Sequence, residues 1–517
     1  MSRTKNSVRN VKYAVVGQAA ALLASFFART VFVHALNAEY LGLNGLFANI
    51  LSILSFAELG IGASIVFSLY KPLAENNRPK VAALMQLFKK AYTIIGIIVA
   101  GLGIVLTPFL GSLIKDMPAI PQIHLIFLMF VANSSVSYFF SYKRSLIIAD
   151  QKDYIASLYH YGFFIALNAA QIAVLLATQN YFAFLGLQIF STVLENIFIS
   201  QKANKLYPFL LKKGAQRLNA EEKKTITRNV KAMMFHKLGT IAVMGTDNLL
   251  LSKFVGIVAV GLYSNYLLIV NALHSIFDLV FRAVTASIGN LGATDTEEKS
   301  LFIFNCLNLI GFWLYGFVSI CLFILINPLI ILWLGAEYRF SMPLVFFIVL
   351  NFYLTGMRKS VLTFRDAFGL YWYDKYKPVF ESVINLAVSI ILVVNIGAAG
   401  VFIGTAVSTL TTCFWIEPYV LYKYGLKNKV SGYFAAYGVY SLYAVLAGSV
   451  TYAVCAFLPA EGLAAFIIKT AICLLLPNAV FALFFFKKPE FKYIVNVLRQ
   501  ERPGPFAGKE RPVRFMK

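Results

Sequence analysis

About fourteen stretches of roughly 20 predominantly apolar residues follow one another along this chain, joined by short connections that carry most of its charge. At about 1.5 Å per residue a helix of that length crosses the ~30 Å hydrocarbon core of a bilayer. Hydrocarbon leaves backbone N–H and C=O groups no partner outside the segment, so successive long apolar runs fold as helices. The pattern predicts an all-α integral membrane protein with spans near 11–36, 41–70, 91–114, 121–149, 154–178, 181–206, 229–252, 257–289, 300–327, 341–368, 377–396, 398–422, 434–457 and 463–486. Composition agrees: 13% of the 517 residues are charged, against ~25% in soluble domains, and mean hydropathy is +0.73. The net charge of +23 sits between the apolar runs, where it acts as a topology signal and contacts anionic lipid; no nucleic-acid partner is expected. The five cysteines lie in apolar runs without paired spacing, which argues against a disulfide framework or a zinc site.

Charge also orients the spans. Apart from Lys115, Lys253 and Arg339, and the in-span Arg29, Lys237 and Lys469, the Lys and Arg residues fall in alternate connections. The positive-inside rule then places both termini in the cytoplasm. The first span follows Arg3, Lys5, Arg9 and Lys12 and is too long for a cleavable signal, so it reads as a retained signal-anchor. The opposite-side turns, the longest near Gly111–Gln122 and Pro328–Ser341, leave no room for an external catalytic domain.

The chain is internally duplicated. Gly42-Leu43 matches Gly261-Leu262, the in-span acid Glu58 matches Asp278, Thr107-Pro108 matches Asn327-Pro328, and Lys143-Arg144-Ser145 matches Arg358-Lys359-Ser360. Duplicated helical units of this kind mark secondary transporters. The expected organisation is a first unit over 1–206, a polar connector over 207–228, a second unit over 229–424, two further spans over 425–488 and a basic tail over 489–517. Gly400 and Gly404 form a GxxxG that reads as helix packing, Tyr433, Tyr437 and Tyr440 read as an interfacial aromatic belt, and Pro108, Pro328, Pro343 and Pro477 read as span-end residues.

No nucleotide-binding, GxSxG or HExxH motif is present, so the chain reads as a non-enzyme driven by an ion or substrate gradient. The chemistry left is that of ionisable groups in the membrane, which cost about 2.5–3.5 kcal/mol each at the bilayer centre and so turn toward a polar interior. They are Arg29, Glu58, Glu195, Lys237, Asp247, Asp278 and Arg282. Several have plainer readings: Asp278 and Arg282 can pair one turn apart, Lys237 can snorkel, and Lys143, Arg144, Arg358 and Lys359 can be topology anchors. Arg29, about 25 Å along its helix, has no acid four residues away on either side. Cations outnumbering acids suit an anionic cargo, since guanidinium binds phosphate through charge-assisted hydrogen bonds.

The strings Leu54-Ser55-Phe56-Ala57-Glu58-Leu59-Gly60-Ile61-Gly62, Ser145-Leu146-Ile147-Ile148-Ala149-Asp150-Gln151-Lys152-Asp153-Tyr154, Asp247-Asn248-Leu249-Leu250-Leu251-Ser252-Lys253-Phe254 and Gly261-Leu262-Tyr263-Ser264-Asn265-Tyr266 resemble those of bacterial polysaccharide-biosynthesis flippases. These are the Wzx-type translocases of the multidrug/oligosaccharidyl-lipid/polysaccharide exporter superfamily, and the resemblance extends to about Lys488. It implies two pseudo-symmetric six-helix lobes, plus two C-terminal helices, around a central cavity that opens alternately to each side of the bacterial cytoplasmic membrane. The implied cargo is a polyprenyl-diphosphate-linked oligosaccharide for capsule, exopolysaccharide or O-antigen synthesis. Arg29, Arg282 and, less directly, Lys237 would hold the diphosphate, and Glu58, Asp247 or Asp278 would couple H+ or Na+. Beyond membrane lipids, the implied partners are a polysaccharide polymerase or glycosyltransferases. A multidrug antiporter of the same superfamily and a membrane polysaccharide polymerase or ligase are the alternatives.

Overall fold

The computed structural model describes residues 3–58, 61–211, 226–227, 230, 246–294, 296–458 and 462–500. Twelve of its helices are long and apolar enough to cross a membrane. They match the expected spans except the second and the seventh, and most of the seventh lies outside the described residues. In chain order the helices are α1 (Arg3–Ala35), α2 (Ala38–Leu54), α3 (Ile61–Ala74), α4 (Arg78–Leu106), α5 (Leu110–Leu113), α6 (Ile123–Ala149), α7 (Asp153–Thr178) and α8 (Tyr181–Leu206). After a π-helical turn, Leu251–Val255, come α9 (Ile257–Thr294), α10 (Glu297–Leu334), α11 (Met342–Met357), α12 (Lys359–Ala367), α13 (Lys377–Ile396), α14 (Ala398–Ser408) and α15 (Phe414–Val420). The last three are α16 (Ser431–Ala456), α17 (Leu463–Phe485) and α18 (Pro489–Gln500). The fold is that of an all-α, multi-pass membrane protein.

The second span is not one helix. α2 stops at Leu54, a 3-10 turn covers Ser55–Glu58, and α3 starts at Ile61. Glu58, which the sequence places along a continuous helix, stands at this break. Broken helices are tolerated at membrane depth where protein surrounds the freed backbone groups or a polar cavity does.

Two compact units divide the chain, one of residues 1–275, 329–351 and 374–416, the other of 276–328, 352–373 and 417–517. In the first unit α1 packs on α7, α4 on α6, α6 on α8, and α13 on α14. Its core runs through Leu69, Phe88, Val99, Leu146, Ala156 and Ile199, with Phe47 held edge-on between Phe127 and Phe130. The connection between α6 and α7 is fastened by polar groups: Lys152 pairs with Asp150 at 2.6 Å, and Tyr207 donates to the same carboxylate at 2.7 Å. Burial first, and then the Asp150 carboxylate, push the Tyr207 phenol above its ordinary value.

The duplicated glycines meet inside this unit. Gly42 lies against the Ile257 carbonyl, one turn before Gly261, and Gly261 lies against the Ala38 carbonyl, one turn before Gly42. The contact is reciprocal, so a local pseudo-twofold passes between α2 and α9. A Cβ at either position would collide with the partner's backbone, which cannot move aside as a side chain can. Gly400 and Gly404 play the expected packing part, seating α14 on Leu392 and Ser389 of α13.

The second unit is built on aromatics. Phe312 stacks on Tyr440 at 4.6 Å and 17° with Phe481 and Phe485 against it, and Phe304 packs on Tyr433. Tyr433, Tyr437 and Tyr440 are therefore core residues (2%, 8% and 5% exposed) and not an interfacial belt, because their shared face turns toward α10. Pro328 and Pro477 also lie inside helices α10 and α17, not at span ends. Pro477 has no N–H for the Cys473 carbonyl, and the Cys321 thiol donates to that oxygen instead, at 3.5 Å.

Gly261→Leu should lower stability by about 1–3 kcal/mol, the usual scale of overpacking, whereas Gly101→Leu, with open space at its Cβ, should be near neutral. Thermal unfolding of the two variants in detergent checks the difference.

Candidate functional site

Three polar assemblies in the first unit involve in-span ionisable residues named from the sequence: Glu58, Arg29 and Asp247. At the break after α2, the Tyr92 hydroxyl donates to Glu58 at 2.7 Å, and Gly62 leaves the room that both groups occupy. The sequence shows the acid but not its partner, since a Tyr in an apolar run looks like packing.

Arg29 on α1 forms the second. Its Nη1 donates to Ser264 Oγ at 3.0 Å, and Ser264 donates to the Gly261 carbonyl at 2.7 Å. No carboxylate pairs with Arg29 among the described residues. A guanidinium has five N–H donors, so one neutral hydroxyl leaves most of its capacity free. The ring next to it is fixed: Trp333 stacks on Phe26 at 4.2 Å and donates through Nε1 to Thr30 Oγ1 at 2.7 Å. Gly45 brings α2 close to both Ser264 and the Asn248 amide. The Asn248 Oδ1 and both side-chain polar atoms of Asn265 are buried without a hydrogen-bond partner. Unsatisfied buried amides are costly, which makes them candidates for contact with a ligand or water.

The third assembly centres on Asp247. Thr405 lies within hydrogen-bonding reach of its carboxylate, while its Oδ1 is buried and unpartnered. Asn385 Nδ2 donates to Thr405 Oγ1 at 3.0 Å, Thr246 Oγ1 donates to Asn385 Oδ1 at 3.5 Å, and Ser389 and Thr405 both donate to the Val401 carbonyl at 3.3 Å. One carboxylate, an amide oxygen, three hydroxyls and a main-chain carbonyl thus come from α13, α14 and the helical residues 246–250. The set is of hard oxygens, the kind that coordinates H+ or Na+ in membrane transporters. Sequence reasoning found Asp247 and missed Asn385, Ser389 and Thr405, whose neutral oxygens carry no charge signal.

In the second unit Asp278 accepts from Lys359 Nζ at 2.6 Å. The pairing with Arg282 that the spacing allows is not made, and Arg282 is exposed without an ion partner among the described residues. Arg358 holds Glu417 in a two-pronged contact, Nε at 2.9 Å and Nη2 at 2.7 Å, with Glu417 fully buried. In the first unit Arg144 holds Glu195 at 3.0 Å, shared with His160 at 3.2 Å, and Lys143 donates to Ser200 and Asn204. The duplicated basic pairs are therefore more than topology anchors: in each copy an arginine reaches from the fourth span to an acid on the sixth. Lys237 lies outside the described residues.

No family model matches the sequence, and no curated protein is detectably similar to it. Solved structures share its fold. The lipid II flippase MurJ in an inward closed conformation matches with a TM-score of 0.61 at 13% identity, over 92% of this chain and 99% of that one. An inward-facing multidrug-resistance MATE family transporter of the MOP superfamily matches with a TM-score of 0.57 at 15% identity, over 77% and 94%. A mutant of the Vibrio cholerae MATE transporter VcmN gives 0.53 at 13%, over 82% and 99%.

Removing one partner of a buried ion pair strands the other, at a cost of about 3–5 kcal/mol. Arg358→Ala should therefore unfold well below the wild type in a detergent thermal scan, while Lys71→Ala, whose 3.9 Å pair with Glu75 is solvent-exposed, should leave the transition unchanged. The chain has the fold of the MOP-superfamily transporters.

Proposed function

We propose that this protein is a flippase that carries a polyprenyl-diphosphate-linked oligosaccharide from the cytoplasmic to the outer leaflet of a bacterial cytoplasmic membrane. The observation that carries the reading is Arg29: an in-span guanidinium bonded to one neutral hydroxyl and to no carboxylate among the described residues. A diphosphate supplies the charge and the multiple acceptors that this arrangement lacks. Arg282, exposed and unpaired among the described residues, is a second candidate cation, and Lys237 a third. The fold likeness supports a multidrug antiporter equally well; that no carboxylate pairs with Arg29 among the described residues is what favours an anionic cargo over a cationic one.

In this reading residues 1–206 and 229–424 act as two lobes, tethered by 207–228, that rock about the reciprocal Gly42/Gly261 contact. The contacts that part for release include Lys253 Nζ to the Ser112 carbonyl at 2.8 Å and Lys115 N to the Ser252 carbonyl at 3.0 Å. Asp247 and its oxygen neighbours take the coupling ion, H+ or Na+, and Glu58 and Asp278 are the other acids within reach of that role. The products would feed a membrane polymerase or glycosyltransferase partner.

The test uses liposomes loaded with a labelled polyprenyl-diphosphate oligosaccharide and follows movement between leaflets. Arg29→Ala should abolish protein-dependent movement with insertion and abundance unchanged, and Arg29→Lys should retain part of it if a point charge suffices. Normal movement in Arg29→Ala would overturn the anion assignment; export of a cationic dye with no lipid movement would favour the antiporter. Asp247→Asn should remove the response to an imposed H+ or Na+ gradient while leaving slow downhill movement.

A further inference from the structure

An open groove of about 560 Å³ runs along the outer face of α7 and α8, away from the polar assemblies described above. Its floor is a single stripe of α7 that includes Tyr154, Tyr159, Gly162, Phe163 and Ala166, and Lys202 of α8 stands at its rim. The stripe from Tyr154 to Ala166 is about 18 Å long at 1.5 Å per residue, close to the ~15 Å depth of one leaflet's hydrocarbon. Its composition is graded. Tyr154 lies in the first turn of α7 beside Lys202 in the closing turns of α8, and the far end holds only Gly162, Phe163 and Ala166.

Two features point to an amphipathic occupant. Lys202 is the charged residue of the lining and makes no hydrogen bond or ion pair among the described residues, although Lys143 and Arg144 near it on the same unit are both engaged. Gly162 has nothing within 4 Å of where a Cβ would stand, so the channel is left open by the absence of a side chain, not by loose packing. We propose that this groove binds one anionic glycerophospholipid, its phosphate on Lys202 and one acyl chain laid along the Tyr154–Ala166 stripe. The charge complementarity selects an anionic headgroup over a zwitterionic one, and the length selects a chain that ends within its own leaflet. The site rests on α7 and α8 being membrane spans and not on the flippase reading.

Native mass spectrometry of the delipidated full chain, titrated with phosphatidylglycerol or phosphatidylethanolamine, tests it. Wild type should retain phosphatidylglycerol about fivefold more strongly, the effect of one cation on an anionic headgroup at the membrane surface. Lys202→Glu should erase that preference. Gly162→Leu, which adds a good helix former into open space, should fold normally and reduce retention of both lipids. Equal retention in wild type and both variants would overturn the proposal. So would displacement of phosphatidylglycerol by equimolar polyprenyl phosphate, which would make the groove a seat for the cargo's tail instead. Because the readout is lipid retention, a failure here is separable from a failure of transport.

Discussion

Hydrocarbon offers no partner to a charged or hydrogen-bonding group, so each such group in a membrane span must find one within the protein or its ligand. That constraint organises this molecule. Arg144 and Arg358 meet it with acids on a neighbouring span, Lys359 meets it with Asp278, and the Cys473 carbonyl above Pro477 meets it with a thiol. Arg29, Asp247, Asn248 and Asn265 are among the groups whose hydrogen-bonding capacity is not used up by the described residues. The satisfied pairs hold helices together; in the proposed mechanism the Arg29 and Asp247 sites are where the cargo and the ion bind.

The duplication gives the satisfied pairs their arrangement. An arginine on the fourth span reaches an acid on the sixth in both copies, and the glycines at the head of the second and eighth spans rest on each other's backbone. A reciprocal contact of small residues can slide or part without unpairing buried charge, which suits a pivot better than an ion pair would. The charged pairs sit within copies.

Much of the architecture was legible in the sequence because membrane folding is dominated by length and polarity. Long apolar runs give spans at nearly the observed positions, and the repeat gives the matched Gly, Pro and Arg-Lys positions. What was not legible depends on side-chain partners. Nothing in the string around Glu58 distinguishes a break from a continuous helix, since the apolar residues continue on both sides. The Tyr433–Tyr440 stripe reads as a belt from its spacing and proves to be core, because Phe304 and Phe312 face it. Asn385, Ser389 and Thr405 join Asp247 only through the close packing of α13 on α14 that Gly400 and Gly404 permit. Arg29 and Asp247 announce themselves by charge alone, and their neighbours by geometry alone.

In the proposed mechanism the Arg29 site takes the cargo's diphosphate and the Asp247 site takes the ion whose gradient drives it. Two sites that share a conformational equilibrium must change each other's affinity by the same factor. The most direct measurement is the affinity of purified protein for a polyprenyl-diphosphate oligosaccharide, titrated across Na+ concentrations at fixed pH and across pH at fixed Na+. One of the two ions should shift the affinity by at least about fivefold in wild type, and Asp247→Asn should abolish the shift while retaining binding. An affinity indifferent to both ions, or a shift that survives in Asp247→Asn, would contradict it.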